Sequence, residues 1–208
     1  GICPDILTAS KSLGGGKASI GMYTMKSKIF NKSYGNIGDS LLHSTTFNGF
    51  GEEAVTATKA IEIMMRDKYD KKSKNAGREI NKNFEDLKKK FCNYNMSIKG
   101  CGCIQNITIG NNEIKDSFLR SLLSKNDYKK IGILRARLFE ISILDYLYTK
   151  FSIFAFHTPG KLVISPSLII KKKEIKYFFN ALSETLKLGR EKLIKIYLTK
   201  NIKSIRRL

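Results

Sequence analysis

The sequence predicts a mixed fold of short strands and amphipathic helices, and three observations carry that prediction. Apolar residues recur at helical spacing in several stretches, as in Ile80, Phe84, Leu87 and Phe91. Short runs such as "MSIKG" (96–100), "CIQNITIG" (103–110) and "KLVIS" (161–165) read as strands. With 208 residues, 42% of them hydrophobic, and 12 Phe and 9 Tyr, the chain can bury a real core, as one large domain or two small ones.

The elements follow in order. The stretch "TASKSLGGGKASIG" (8–21) sets three glycines between two lysines. A triple glycine reads three ways: as a flexible connector, a phosphate cradle, or a turn that another group approaches closely. "IGMYTM" (20–25) looks like a strand leaving that turn, and residues 26–51, rich in Gly, Asn and Ser, read as an irregular loop. Glu52 and Glu53 suit the positive end of a helix over 52–66, with Ala54, Ala57, Ile61 and Met64 on its buried face. The charged stretch 66–79 marks a boundary, and the Ile80 to Phe91 stripe begins an amphipathic helix beyond it.

Two strands come next, then a helix over 128–148, extended runs at 151–156 and 161–165, and a helix over 171–188 built on Ile175, Phe178, Phe179, Leu182 and Leu186. Gly189 fits a helix stop. The last segment sets Leu193, Ile194, Tyr197, Leu198, Ile202 and Ile205 against Lys192, Lys195, Lys200, Lys203 and Arg206. Such a basic amphipathic helix packs its apolar stripe on its own domain or lies on an anionic membrane or a partner, and the first is the favoured reading.

The net charge of +20 is spread along the chain except in 189–208, which holds 7 basic and 1 acidic side chains. No zinc-finger spacing and no ribonucleoprotein-type aromatic motif accompanies it, so the expectation is a lysine-rich solvated surface and no specific nucleic acid. Cys3, Cys92, Cys101 and Cys103 are too few for a disulfide scaffold, and His43 and His157 are isolated, so reduced, mostly buried thiols and no metal are expected. No apolar run reaches the length of a membrane span and no signal-peptide pattern opens the chain, which makes the cytoplasm the default location.

Residues 4–16, "PDILTASKSLGGG", followed by Ile20 and Gly21, resemble the lysine segment of the class III pyridoxal-phosphate aminotransferases, P-D-I-x-x-x-x-K-x-L-G-G-G. "HSTTFNG" (43–49) is similar to that family's H-x-S-T-[FY]-x-G loop. "IKGCG" (98–102) stands where the family has V-R-G-x-G, and "SPSLII" (165–170) with Glu174 and Ile175 resembles its P-P-L-x-I-[ST]-x-E-E-I run. Four motifs in order span 4–175.

The resemblance implies an α/β chain: the C-terminal part of a fold type I enzyme, with the end of the large α/β domain plus a small α+β domain. The implied divisions are 1–66, the C-terminal part of the cofactor-binding large domain with its linking helix; 67–189, the small domain; and 190–208, the basic helical tail. Lys11 is the implied internal-aldimine lysine, catalytic and cofactor-binding, with pyridoxal 5′-phosphate as cofactor. Thr46 is the implied donor to the cofactor phosphate of a neighbouring subunit, hence a homodimer. The implied reaction is transfer of an amino group between an amine or amino acid and a carbonyl acceptor, both small molecules. A same-family aminomutase, or a catalytically incompetent fragment serving as a binding or interface module, are the other readings.

The chemistry asks for these residue types. A lysine amine adds to an aldehyde only when deprotonated, so its site must lower a pKa of about 10.4 in water. A hydroxyl such as that of Thr46 donates to phosphate oxygens, and glycines nearby read as clearance for ring and phosphate. Lys17 has no such pattern and reads as an exposed charge, Lys99 as a strand-end charge, and His43 as a loop hydrogen-bonder.

Three features depart from the family pattern. The D-E-x-x-x-G aspartate that pairs with the pyridine nitrogen, the glycine-rich phosphate turn and the stacking aromatic belong further upstream than this chain reaches, so the 208 residues alone are expected to be incompetent. Lys99 stands at an arginine position. Val163 stands where many members have an arginine that clamps a substrate α-carboxylate, and valine offers no bidentate donor.

Overall fold

The computed structural model describes residues 2–39, 41–110, 124–158 and 160–205. They fall into two compact units, Gly1–Asp70 and Lys71–Leu208.

In the first unit, β1 (Ile6–Ala9) and β2 (Met22–Met25) pair antiparallel, Ile6 opposite Met25 and Ala9 opposite Met22. A 3-10 turn over Lys11–Gly14 lies between them. Beyond β2 the chain forms helix α1 (Ser27–Tyr34), a 3-10 turn (Ile37–Asp39), and α2 (Gly51–Arg66). The loop expected over 26–51 is therefore partly helical. Lys28, Ile29, Phe30 and Lys32 tolerate a helix well, and the Gly/Asn/Ser content that argued for a loop is concentrated after Tyr34. α2 starts with Glu52 and Glu53 as expected, but of the face Ala54, Ala57, Ile61 and Met64 only Ala57 is buried, and Ile61 is exposed.

The second unit is an antiparallel sheet in the order β3-β4-β6-β5, backed by helices. The division between the units falls between Asp70 and Lys71, inside the charged stretch 66–79 expected as a boundary, and α3 (Tyr69–Lys90) is helical across most of that stretch. The reason lies in its apolar spacing: Ala76, Ile80, Phe84 and Leu87 make one continuous buried stripe, so the charged residues are simply its wet face. β3 (Met96–Cys101) and β4 (Ile104–Ile109) form a hairpin. On β4 the side chains of Gln105, Ile107 and Ile109 point alternately inward, the period of a half-buried strand.

Gly77 of α3 has no room for a side chain: a Cβ there would sit 2.3 Å from the carbonyl oxygen of Gly102 in the β3–β4 turn. The same approach lets the backbone N–H of Cys103 donate to Ser73 Oγ at 3.2 Å. Among the four free cysteines only Cys103 is buried, against the expectation of mostly buried thiols. The others sit on surface turns or strand ends, where no core surrounds them.

α4 (Lys125–Phe151) is capped by Ser124, whose hydroxyl accepts from the Asp127 N–H, and it buries Phe139, Ile143 and Leu147 at i, i+4 and i+8. The extended run expected at 151–156 shrinks to β5 (Phe156–Thr158), because Phe151 still belongs to α4 and Ser152 closes that helix in the left-handed conformation. β6 (Lys161–Ile164) pairs with both β4 and β5. α5 (Lys172–Lys187) buries Ile175, Phe179, Leu182 and Leu186, while Phe178 packs against the core partly exposed.

Gly189, at φ 77°, ends α5 and starts α6 (Arg190–Ile205). α6 lies on α4: Leu193 is buried, Arg135 meets Glu191 and Lys200 meets Asp145, each at 2.6 Å, and the Arg190 guanidinium sits 4.7 Å above the Phe139 ring. Leu193 and Ile194 of the apolar stripe thus pack on their own domain, while Leu198 is exposed. The side chains of Ile202, Lys203 and Ile205 and all of 206–208 lie outside the described residues. No described helix is long and apolar enough to cross a membrane.

Candidate active site

Lys11 opens the turn between β1 and β2, and its backbone is unusual. Its φ is 59°, the left-handed region that a side chain makes costly by about 1–3 kcal/mol. Two other non-glycine residues share that sign, Lys68 and Ser152. Both lie just past a helix C-terminus, where this conformation is the ordinary way to close the last turn. Lys11 has no such reason. Its side chain is exposed and, among the described residues, its amine makes no hydrogen bond or ion pair.

The glycines do less for a ligand than the sequence implied. Gly14 is buried, and a Cβ on it would touch Ala18 and Ile20 at 3.4 Å. At Gly15 a Cβ would press on Ala60 of α2 at 3.0 Å, so this glycine serves the packing of turn on helix. Only Gly16 faces open space. Thr8, Ala9, Ser10, Gly21, Met22 and Tyr23 line a shallow cavity of about 380 Å³ at the Lys11 end of the hairpin. Lys17 is exposed, as expected.

The loop bearing Thr46 is built by its own polar side chains. Thr45 Oγ1 donates to Asn48 Oδ1 at 2.9 Å, Asn48 Nδ2 donates to the His43 carbonyl at 2.6 Å, and the Asn48 N–H donates to the Thr45 carbonyl. Thr45 has therefore committed its hydroxyl inside the loop. Thr46 is exposed and makes no hydrogen bond among the described residues, which leaves its hydroxyl available to a ligand oxygen. His43 is the hydrogen-bonder that its neighbours implied: its Nδ1 lies 2.6 Å from the Tyr34 hydroxyl.

Sequence reading missed Tyr34 and Asn48. Asn48 carried a usable signal, since an Asn before a Gly in a polar loop commonly bonds its own backbone. Tyr34 carried none, because its role depends on α1, which was read as loop.

In the second unit, Val163 lies half-buried on β6 between Asn106 of β4 and Phe156 of β5. It lines a cavity of about 240 Å³ together with Phe154, Ile164, Glu174, Tyr177 and Phe178, and no Lys, Arg or His contributes to that lining. Lys99 is exposed on β3, consistent with a strand charge. No cluster of His, Cys, Asp or Glu able to hold a metal occurs among the described residues.

A family profile described as Aminotransferase class-III matches residues 1–186, which takes in the Lys11 turn, the Thr46 loop and the sheet that carries Val163. The chain belongs to the class III aminotransferase family. This aminotransferase chain is 26% identical over 126 residues to the putrescine aminotransferase of Pectobacterium atrosepticum, covering 61% of the chain and 26% of that protein. It is 43% identical over 68 residues to the aminotransferase PigE of a Serratia species, covering 32% and 8%.

Among solved structures, the S-selective transaminase from an Arthrobacter species matches with a TM-score of 0.71 and 21% identity over 91% of this chain and 39% of that one. The adenosylmethionine-8-amino-7-oxononanoate aminotransferase of Methanocaldococcus jannaschii matches at 0.68 and 23%, over 89% and 39%. The architecture is therefore a portion of the fold type I pyridoxal-phosphate aminotransferase fold. The aminotransferase chain spans well under half the length of each of these relatives.

Proposed function

We propose that this chain supplies the lysine half of a pyridoxal-phosphate-dependent transaminase, which moves an amino group between an amine or amino acid and a carbonyl acceptor. The observation that carries the reading is Lys11: an exposed, unpaired amine on a strained left-handed residue, at the position the family reserves for its cofactor lysine. Backbone strain away from a helix end is a pointer to a functional position.

The residues present fit the cofactor. The Lys11 amine would hold it through its aldehyde carbon, and the free Thr46 hydroxyl would donate to a phosphate oxygen, in a neighbouring copy if the family's dimer forms. When bound, pyridoxal phosphate supplies the electron sink for the carbanion made at the amino-bearing carbon. With its amine free, Lys11 Nζ would be the base that takes the proton from that carbon. The exposed turn keeps Nζ reachable by both cofactor and substrate. Water exclusion, and the groups that tune the ring, would come from residues beyond those of this chain.

Valine at position 163, where many members carry an arginine, offers no bidentate donor for a substrate carboxylate, which supports an amine or diamine donor over an α-amino acid. The similarity to a putrescine aminotransferase agrees with this reading.

The test is to express the longest product of the gene, add pyridoxal phosphate, reduce with borohydride and map the modified peptide. The pyridoxyl group is expected on Lys11, with none trapped in Lys11→Ala and with transamination of a diamine lowered by at least about 10²-fold. A label on any other lysine, or no label at all, rejects the proposal.

A further inference from the structure

The Thr46 loop is fastened to the Lys11 hairpin by Tyr23 and Tyr34, which lie outside the motifs, and by His43, the first residue of the loop motif. Tyr23 stands on β2, Tyr34 ends α1, and His43 opens the loop. The Tyr34 hydroxyl is 2.6 Å from His43 Nδ1, and the Tyr23 ring packs against the same imidazole. The rings are packed edge to face around the imidazole, Tyr34 at 5.5 Å and Tyr23 at 6.3 Å between centroids. From His43 the connection continues through its carbonyl to Asn48 and from Asn48 to Thr45, so the turn that presents Thr46 is tied at both ends.

We propose that Tyr34 is a positioning residue for the cofactor-phosphate loop: its bond to His43, whose ring packs on Tyr23 of the Lys11 hairpin, fixes where Thr46 offers its hydroxyl. The inference rests on the role given above to Thr46. Its physical basis is that a short polar loop with no buried side chain has little else to order it. The Tyr34 hydroxyl engages His43 Nδ1, so that nitrogen is held in one hydrogen-bonding role and the imidazole in one tautomer. The Tyr34 phenol is pushed above its ordinary pKa, by burial first and then by the neighbouring Tyr23, so it stays a neutral donor at every pH at which the enzyme would work. A lone loop threonine gains from this arrangement because a phosphate contact pays off only when the donor is already in place.

The chain has two histidines, which makes the relay directly readable. In ¹⁵N spectra of the full chain, His43, assigned by its loss in His43→Gln, is expected as one tautomer, and Tyr34→Phe is expected to populate both while His157 stays unchanged. In the pyridoxal-phosphate-loaded protein, Tyr34→Phe is expected to raise the cofactor dissociation constant about five- to tenfold, the loss of one hydrogen bond's worth of ordering. Tyr23→Phe, which keeps the ring packed on His43, is expected to give a smaller rise. A His43 tautomer that ignores Tyr34→Phe, or a cofactor affinity that does so, overturns the proposal. If borohydride traps nothing on Lys11 of the wild type, the transaminase reading fails while the histidine spectrum still decides whether the relay exists. If Lys11 is trapped and the spectrum and affinity are both unmoved, only the relay fails.

Discussion

The two units divide the labour in opposite ways. Among the described residues, Gly1–Asp70 buries only Gly14 and Ala57, yet it holds Lys11, Thr46 and the tyrosine–histidine relay. Lys71–Leu208 holds the core, from Phe84 at 1% exposure to Leu182 and Phe139 at 0%, and none of the residues implied to touch the cofactor. Large apolar side chains stand in water in the first unit, Ile37 at 95% and Leu41 at 77% exposure. Charge follows the same line: residues 1–70 carry 8 basic and 7 acidic side chains, residues 71–208 carry 30 and 11. The positive excess is therefore almost wholly a property of the second unit, whose packed interior forces its lysines outward. Within these 208 residues the buried core and the residues implied to meet the cofactor lie in different units.

The largest expected effect tests where stability resides. Phe84→Ala should cost about 3–5 kcal/mol in urea unfolding of the second unit, because it empties a fully enclosed site between α3 and the sheet. Gly77→Ala should come next, at about 1–3 kcal/mol, since the new methyl group meets the Gly102 carbonyl and backbone must move. Ready tolerance of this alanine in the same unfolding experiment would mean that α3 does not approach the β3–β4 turn as closely as described.

A subtler effect is expected from Glu140, a buried carboxyl on α4 that accepts from the Gly160 N–H at 3.1 Å. Burial raises its pKa, an effect partly opposed by that hydrogen bond and by His157 and Arg137. A raised carboxyl pKa means that the folded state holds the proton more tightly than the unfolded chain does. The stability Glu140 contributes is then greatest below the unfolded value near 4.5 and declines as pH rises through the higher folded value. Glu140→Gln keeps an acceptor for Gly160 and removes the ionisation, so its stability should gain on the wild type between pH 4 and pH 7. Unfolding curves that stay parallel across that range would show that Glu140 is not effectively desolvated.

The smallest effect closes the comparison. Val55→Ser on the exposed face of α2 should change unfolding by no more than about 0.5 kcal/mol, with Lys11 still open to borohydride trapping. A loss on the scale of Phe84→Ala would erase the distinction between the two units.

Much of the second unit was legible because its side chains repeat at the periods of buried helices and strands. Ile80, Phe84 and Leu87 placed α3, and Ile175, Phe179, Leu182 and Leu186 placed α5, with burial agreeing at each position. The boundary read in the charged stretch 66–79 agrees with the division between Asp70 and Lys71, although that stretch is mostly helix, while 27–34 was read as loop because composition argued for a break where helix propensity favoured continuity. In the site, Lys11 and Thr46 were found by spacing alone. Their surroundings were not, because neither the left-handed turn at Lys11 nor the Tyr34 to His43 bond leaves a periodic trace.

By itself, the sequence determined the family, the candidate lysine and threonine, the helical stripes and the absence of an arginine at position 163, all of which depend on residue identity and on spacing along one chain. Only the tertiary structure decided that Thr45 is spent and Thr46 free, that Gly15 serves α2, that the basic tail lies on α4, and that the core belongs to one unit. Those facts depend on which groups meet across the fold, where hydrogen bonds and buried area are settled by contact between residues distant in sequence.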